Sequence, residues 1–474
     1  MKTIATVVNR VDENVEALKQ QEMTVTNELR NLRNAVQSIE NTGEIVARCK
    51  GHPLAIKVVG KSLRGQSFEF WKKREKEWSK GDSIIDSETE VLLCLQSSLD
   101  ALDEKGAIIK ECFLDLGSFP EDQRIPVAAL IDMWAELHEL DEDFLAVTHL
   151  QELTTRSLAD LVVTRMQWRM MSTTMNTSSP NMIYLESWLS TKQNGLFSTS
   201  LHNIELAEVE VLVLNFNTKD YALPEFVEKM DNLKVLIVTN HGFLPVELTN
   251  FHLLDSLSNL KRIRLERVSI PSITKNPVHL KSLKKISLFM CSIGQAFSNC
   301  SFQISEALPN LEEMNIDYCN DLAELPEDLC NLVCLRKLSI THCPNLSALP
   351  EEIGKLENLE VLRVRYCIDL AELPGSARNL KKLNFLDISY CLSIKELPKH
   401  IGDMNSLIRI NMRECSRLKE LPISICDLEN KLEEVICDDE TEGLWEPFLP
   451  RLGNVVVRAV REEFNLSWLQ KLQS

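Results

Sequence analysis

The chain has 474 residues, 44% apolar and 26% charged, the make-up of a globular protein with room for about three domains. Lys and Arg total 52 against 70 Asp and Glu, and the net charge of -18 argues against non-specific adhesion to nucleic acid or anionic lipid, which needs clustered positive charge. Neither a basic-then-apolar leader nor an apolar run of ~18 residues is present, so a cytoplasmic protein without a transmembrane segment is expected. In that compartment the 14 cysteines are expected as buried thiols rather than disulfides.

The first predicted element is a heptad-patterned helix over residues 1–42. Ile4, Val8, Val11, Val15, Leu18, Glu22, Val25, Leu29, Leu32, Val36 and Ile39 alternate by four and three, and Glu22 alone is polar. Such a seam suits a coiled coil or packing in a helical bundle. Self-association through residues 4–39 and packing against the rest of the chain both satisfy it.

In residues 43–90, Gly51-His52-Pro53-Leu54-Ala55 opens an apolar helix through Val58, Val59 and Leu63. Ala55–Ser62 within it matches a relaxed phosphate-loop pattern ending in Gly60-Lys61-Ser62. A phosphate cradle needs small, flexible residues after a strand so that backbone N–H groups converge. Here Ile56, Lys57, Val58 and Val59 fill the loop positions inside a helix, so the match is a decoy.

Residues 91–165 contain Cys112-Phe113-Leu114-Asp115-Leu116-Gly117-Ser118-Phe119-Pro120-Glu121-Asp122, leading into Ile125-Pro126-Val127 and a helix ending near Trp134. Residues 166–182 are rich in Met, Ser, Thr and Asn, and 166–204 reads as a poorly ordered linker.

From residue 205 to 440 the chain repeats. LxxLxLxxC recurs as Leu311-Met314-Ile316-Cys319, Leu335-Leu338-Ile340-Cys343, Leu359-Leu362-Val364-Cys367, Leu383-Leu386-Ile388-Cys391 and Leu407-Ile410-Met412-Cys415, each 24 residues after the last. A turn block follows each strand and carries Pro326, Pro350, Pro374, Pro398 and Pro422. Looser units start at Val209, Leu233, Leu260 and Leu283, and a last one at Leu432, giving ten coils of a leucine-rich-repeat solenoid. The alternating apolar positions face the core and the residues between them line the concave face. Residues 441–474 form a C-terminal cap.

The cysteine ladder Cys319, Cys343, Cys367, Cys391 and Cys415 invites a metal reading. Zinc needs four converging ligands, usually in close pairs, and Cys330 with Cys334 is the single close pair. Inward thiols bonded to the backbone explain the ladder, and no metal is expected. Beside it runs the column Tyr318, His342, Tyr366, Tyr390, Glu414, holding three of the chain's 5 tyrosines. Tyr and Arg are favoured at binding hot spots. The candidate partner-binding residues are therefore Tyr318, His342, Arg363, Arg365, Tyr366, Tyr390, Arg409 and Arg413. The alternative is that the tyrosines only cover strand edges.

GHPLA resembles the GLPL motif of the NB-ARC nucleotide-binding module of plant immune receptors, and CFLDLGSFPED with LIDMW resembles that module's winged-helix segment. FPEDQRIPVAALIDMW and VLNFNTKDYALPEF are similar to the helper branch, the activated-disease-resistance group. The resemblance spans 43–165 and 205–474. It implies a role in plant defence and partnership with lipase-like immune-signalling heterodimers or related receptors. Family members bind ADP or ATP and oligomerise at membranes, and the GLPL proline abuts adenine, a role that Pro53 and Leu54 alone inherit here.

The rest of the nucleotide site is missing from the sequence. No glycine-rich loop is present, Val435-Ile436-Cys437-Asp438-Asp439 imitates an acidic strand end but is the last repeat strand, and His202 is followed by Asn203 instead of Asp. The expected fold is an α plus α/β solenoid: N-terminal helices, a partial NB-ARC module with a winged-helix domain over 91–165, and the C-terminal repeats. The expected function is recognition of protein without a bound cofactor, nucleic acid or enzymatic activity. A residual ADP/ATP switch and a repeat adaptor for ubiquitin ligation are the alternatives. An extracellular repeat receptor would need a leader and a membrane span.

Overall fold

A computed structural model of the chain describes residues 107–119, 124–140, 142–155, 158–163, 168–172, 182–187 and most of 206–459. The heptad seam at 4–39, Pro53 and Leu54, and the phosphate-loop decoy lie outside the described residues. Two compact units are present. The first reaches Val127 and resumes over Glu142–Thr177; the second takes Ala128–Asp141 and everything from Ser178 onward.

In the first unit, helix α1 (Ala107–Asp115) runs into a tight turn at Leu116–Ser118, followed by strand β1 (Arg124–Pro126). Helix α2 (Val127–Leu137) belongs to the second unit from Ala128 on. The first unit resumes with α3 (Asp143–Thr155), β2 (Ala159–Val163) and β3 (Trp168–Ser172). The strands form an antiparallel sheet in the order β1-β3-β2. Cys112, Leu116, Ile125, Leu150 and Leu153 are buried, and the Cys112 Sγ lies 3.8 Å from His149 Nδ1.

The stretch from 166 to 204 is not simply a linker. Trp168–Ser172 is the central strand of the first unit's sheet, and Met182–Ser187 is the first strand of the solenoid. Composition misled here because both strands pair along their backbones with partners whose positions the local sequence does not record.

Among the described residues the second unit carries a ladder of twelve parallel strands. In order they are β4 (Met182–Ser187), β5 (Val211–Phe216), β7 (Val235–Asn240), β9 (Arg262–Glu266), β11 (Lys285–Phe289) and β12 (Glu313–Asp317). They continue with β13 (Lys337–Thr341), β14 (Val361–Arg365), β15 (Phe385–Asp387), β16 (Arg409–Asn411), β17 (Glu434–Cys437) and β18 (Val456–Ala459). A small second parallel sheet joins β6 (Tyr221–Ala222), β8 (Val246–Thr249) and β10 (Val268–Ser269). The ten expected coils are all present. The ladder passes residue 440, because β18 pairs with β17 where only a cap was expected.

The period of 24 residues puts equivalent residues in register. Leu338 pairs with Leu362 and Leu362 with Leu386, so inward Leu, Ile and Val columns stack into one continuous core. Each such side chain contributes about 1.5–3 kcal/mol by leaving water. The return segments are short. Pro326, Pro374 and Pro422 hold extended φ,ψ values and start 3-10 turns at Glu327–Asn331, Gly375–Asn379 and Ile423–Leu428. The described residues of the unit also include small helices α4 (Ile304–Ala307), α5 (Asp439–Glu442) and α6 (Leu449–Leu452), α5 being started by an Asp438–Thr441 capping box.

The ladder thiols face the core and reach back one coil. Cys391 Sγ donates to the Val364 carbonyl at 3.0 Å and Cys415 Sγ to Ile388 at 3.2 Å. Burial pushes the thiols of Cys291, Cys367 and Cys415 up from the ordinary 9.0 to about 12. No group of three or more potential metal-holding His, Cys, Asp or Glu side chains occurs among the described residues.

Two predictions follow from this packing. At Gly354 an added Cβ would sit 2.0 Å from the Ser376 carbonyl oxygen, whereas at Gly375 it meets nothing within 4 Å. Thermal unfolding should show Gly354→Ala destabilised by about 1–3 kcal/mol, the usual cost of forcing atoms into a packed site, and Gly375→Ala nearly unchanged. The thiols have raised folded-state pKa values, so the unfolded chain loses protons first. Chemical denaturation across pH 9 to 12 should therefore show stability falling steadily as pH rises, with no thiol-linked gain below that window.

Candidate recognition site on the concave face

The column expected beside the cysteines is an ordered stack. The rings of Tyr318 and His342 lie 4.1 Å apart between centroids, His342 and Tyr366 4.5 Å, and Tyr366 and Tyr390 4.1 Å, all within 14° of parallel. Phe289 closes the run edge-on against Tyr318 at 5.8 Å. The physical cause is the ladder. Neighbouring strands repeat every ~4.8 Å, close to the separation at which aromatic rings stack face to face.

The backbone at these positions is unusual. Arg267, Met290, Tyr318, His342, Tyr366, Tyr390 and Glu414 all have φ between 52° and 62°. For a residue with a Cβ this costs about 1–2 kcal/mol. The turn is held because each of these N–H groups from Arg267 to Tyr390 donates to a carbonyl of the next coil, as Tyr366 does to Ser389 at 3.0 Å and Tyr390 to Arg413 at 2.7 Å. The sequence gives no sign of this conformation, since none of the seven is Gly, Asn or Asp.

Three side chains join the start of the stack. Thr341 Oγ1 donates to Asp317, and His342 Nδ1 lies 3.1 Å from the same carboxylate oxygen. Burial, and then the Asp317 charge, raises the Tyr318 hydroxyl above its ordinary value, so it stays a protonated donor.

At the other end two arginines lie over the tyrosines. The Arg365 guanidinium is 5.0 Å from the Tyr366 ring centroid and 5.4 Å from Tyr390, and that of Arg413 is 5.6 Å from Tyr390. Arg363 and Arg409, expected in the same patch, form a second cluster around Phe385, at 5.6 and 5.9 Å from its ring. They are paired with acids as well, Arg363 with Asp387 at 3.5 Å and Arg409 with Glu434. Asp387 is buried and also accepts from Ser389.

All eight expected residues therefore lie on one side of coils β12–β16, as two neighbouring clusters. Phe385, Asp317 and Asp387 complete the clusters and escaped the sequence reading. A signal was available for Phe385, an aromatic residue in a solvent-facing column between Val361 and Arg409.

The face is differently furnished toward the N-terminus of the solenoid. There α2 sets Asp132 and Glu136 against Arg262, with Lys285 bound to Asp132 at 3.0 Å and Lys261 to Glu136 at 3.0 Å. No helix among the described residues is long and apolar enough to cross a membrane.

No protein-family model matches the chain. It is 43% identical over 335 residues to the probable disease resistance protein At5g66900 of Arabidopsis thaliana, covering 62% of this chain and 41% of that one. It is 33% identical over 324 residues to the disease resistance protein ADR1 of the same plant, covering 60% and 41%. The chain thus spans about 41% of the length of these relatives. Among solved structures it is similar to the leucine-rich repeat domain of the type III effector XopL, at 22% identity and a TM-score of 0.42 over 49% of this chain and 78% of that one. With the probable disease resistance protein At5g66890 of Arabidopsis thaliana it shares 35% identity over 286 residues, 51% of this chain and 68% of that protein. The chain belongs to the family of plant disease resistance proteins.

Proposed function

We propose that the chain acts in plant innate immunity by binding protein partners through the concave side of coils β12–β16. The observation that carries this reading is the preorganised strip of Tyr318, His342, Tyr366 and Tyr390 with Arg365 and Arg413 lying over it. The rings are half-buried and locked by stacking, so a partner would order few side chains on binding. The strip can serve the fold and recognition together: stacked faces stabilise the ladder, while the tyrosines, His342 and the two arginines stay only half-buried. Tyr and Arg in this state are the residue types that dominate interface energetics.

The family resemblance favours lipase-like immune-signalling heterodimers or related receptors as partners. Within these residues the reading is recognition without a nucleotide switch, because Ala55–Ser62 lacks the small residues a phosphate cradle requires and Pro53 and Leu54 alone match an adenine-side motif. Self-association through residues 4–39 stays part of the proposal, as does a cytoplasmic location. ADP or ATP is not assigned to the chain as a cofactor, and no chemical step is assigned to it.

Affinity capture from plant extract with the full chain, compared with an Arg365→Ala/Tyr366→Ala variant, tests the reading. Recovery of partners should fall at least about tenfold in the variant, as expected for removing two hot-spot residues at roughly 1.4 kcal/mol or more in sum. Unchanged recovery by a variant with wild-type thermal stability would contradict it.

A further inference from the structure

The concave face already engages one helix of its own chain. Helix α2 presents two carboxylates four residues apart, Asp132 and Glu136, which are 2% and 8% exposed. Arg262 donates to both, at 3.2 Å and 2.8 Å, while Lys285 and Lys261 take one each. Side chains at i and i+4 lie on one helix row about 6 Å apart, close enough to the ~4.8 Å strand spacing for one helix to engage cations of neighbouring coils.

Further along, one cation recurs without an acid opposite it. The Arg365 side chain has no hydrogen-bond or ion-pair partner among the described residues, and its Nε is buried without an acceptor. A guanidinium nitrogen in that state has lost water and rests on aromatic faces with no oxygen acceptor in its place. Arg365 and Arg413, two coils apart, converge over the single ring of Tyr390. Just past the tyrosines, Ile368 and Leu392 are 40% and 41% exposed on adjacent coils. A small anion would satisfy the arginine and leave this aliphatic pair in water. A helix with an acidic row beside an apolar one would cover both.

We infer that Arg365, Tyr390 and Arg413 form a carboxylate clamp for an acidic amphipathic helix of a partner protein. That helix presents Asp or Glu at i and i+4, as α2 does to β9 and β11, and sets apolar side chains on Ile368 and Leu392. The inference rests on the protein-recognition reading above and names the chemistry of the partner.

The test uses the full chain and two alanine-based helical peptides of identical composition, measured by fluorescence anisotropy. One carries its glutamates in an i, i+4 row with leucines on the adjacent row; the other disperses the same residues around the helix. The row peptide should bind at least tenfold more tightly than the dispersed one. Arg365→Ala/Arg413→Ala should abolish that preference, and Ile368→Ser/Leu392→Ser should weaken row-peptide binding severalfold. Inorganic phosphate at matched ionic strength should not compete. Equal binding of the two peptides, an unaltered preference in the arginine variant, or full displacement by phosphate would each overturn the clamp. Partner capture that still depends on Arg365 and Tyr366, alongside a negative peptide result, would remove the acidic helix alone. Loss of dependence in both experiments would remove the recognition reading too.

Discussion

The parallel ladder sets the terms for everything else in the second unit. Its strands recur at a fixed separation, so whatever residue type a column holds is repeated at that separation across the solenoid. A column of Leu and Ile becomes a core, a column of Cys becomes a row of thiols bonded to the preceding coil, and a column of Tyr and His becomes a stack of rings. The same constraint supports the left-handed backbone from Arg267 to Tyr390. Repeating one strained turn on these successive coils is tolerable because the next coil supplies the carbonyl that each N–H requires.

Electrostatics divide the concave face along its length. Around β9 and β11 the basic side chains meet acids that the chain itself provides on α2. Around β14–β16 Arg363 and Arg409 meet acids of neighbouring strands, while Arg365 lies on aromatic rings with no acid opposite it. In a chain of net charge -18 this is a local reversal of sign, and local sign guides encounter with a partner more than the overall balance does.

The solenoid was legible in the sequence because its physics is periodic. A spacing of 24 residues with inward Leu, Ile and Cys leaves little freedom about which face each position takes, and the structure places Leu362, Val364 and Cys367 as that pattern requires. The tyrosine column was legible for the same reason. Its stacking and its positive φ were not, because both depend on distances between coils that composition does not state. The strands at Trp168–Ser172 and Met182–Ser187 were hidden by a segment rich in Met, Ser and Thr, whose order comes from pairing with remote partners. The split of the four arginines into two clusters was equally hidden, since side-chain direction decides whether Arg363 turns to Phe385 or to the tyrosines.

The central claim is that recognition is localised to the aromatic and basic coils. Hydrogen–deuterium exchange on the full chain, with and without a captured partner, tests it most directly. The account predicts that added protection concentrates between Asp317 and Glu414 at the strand ends carrying Tyr366 and Tyr390. Protection confined to the turns after Pro326, Pro350, Pro374 and Pro398, with the tyrosine strip unchanged, would contradict it.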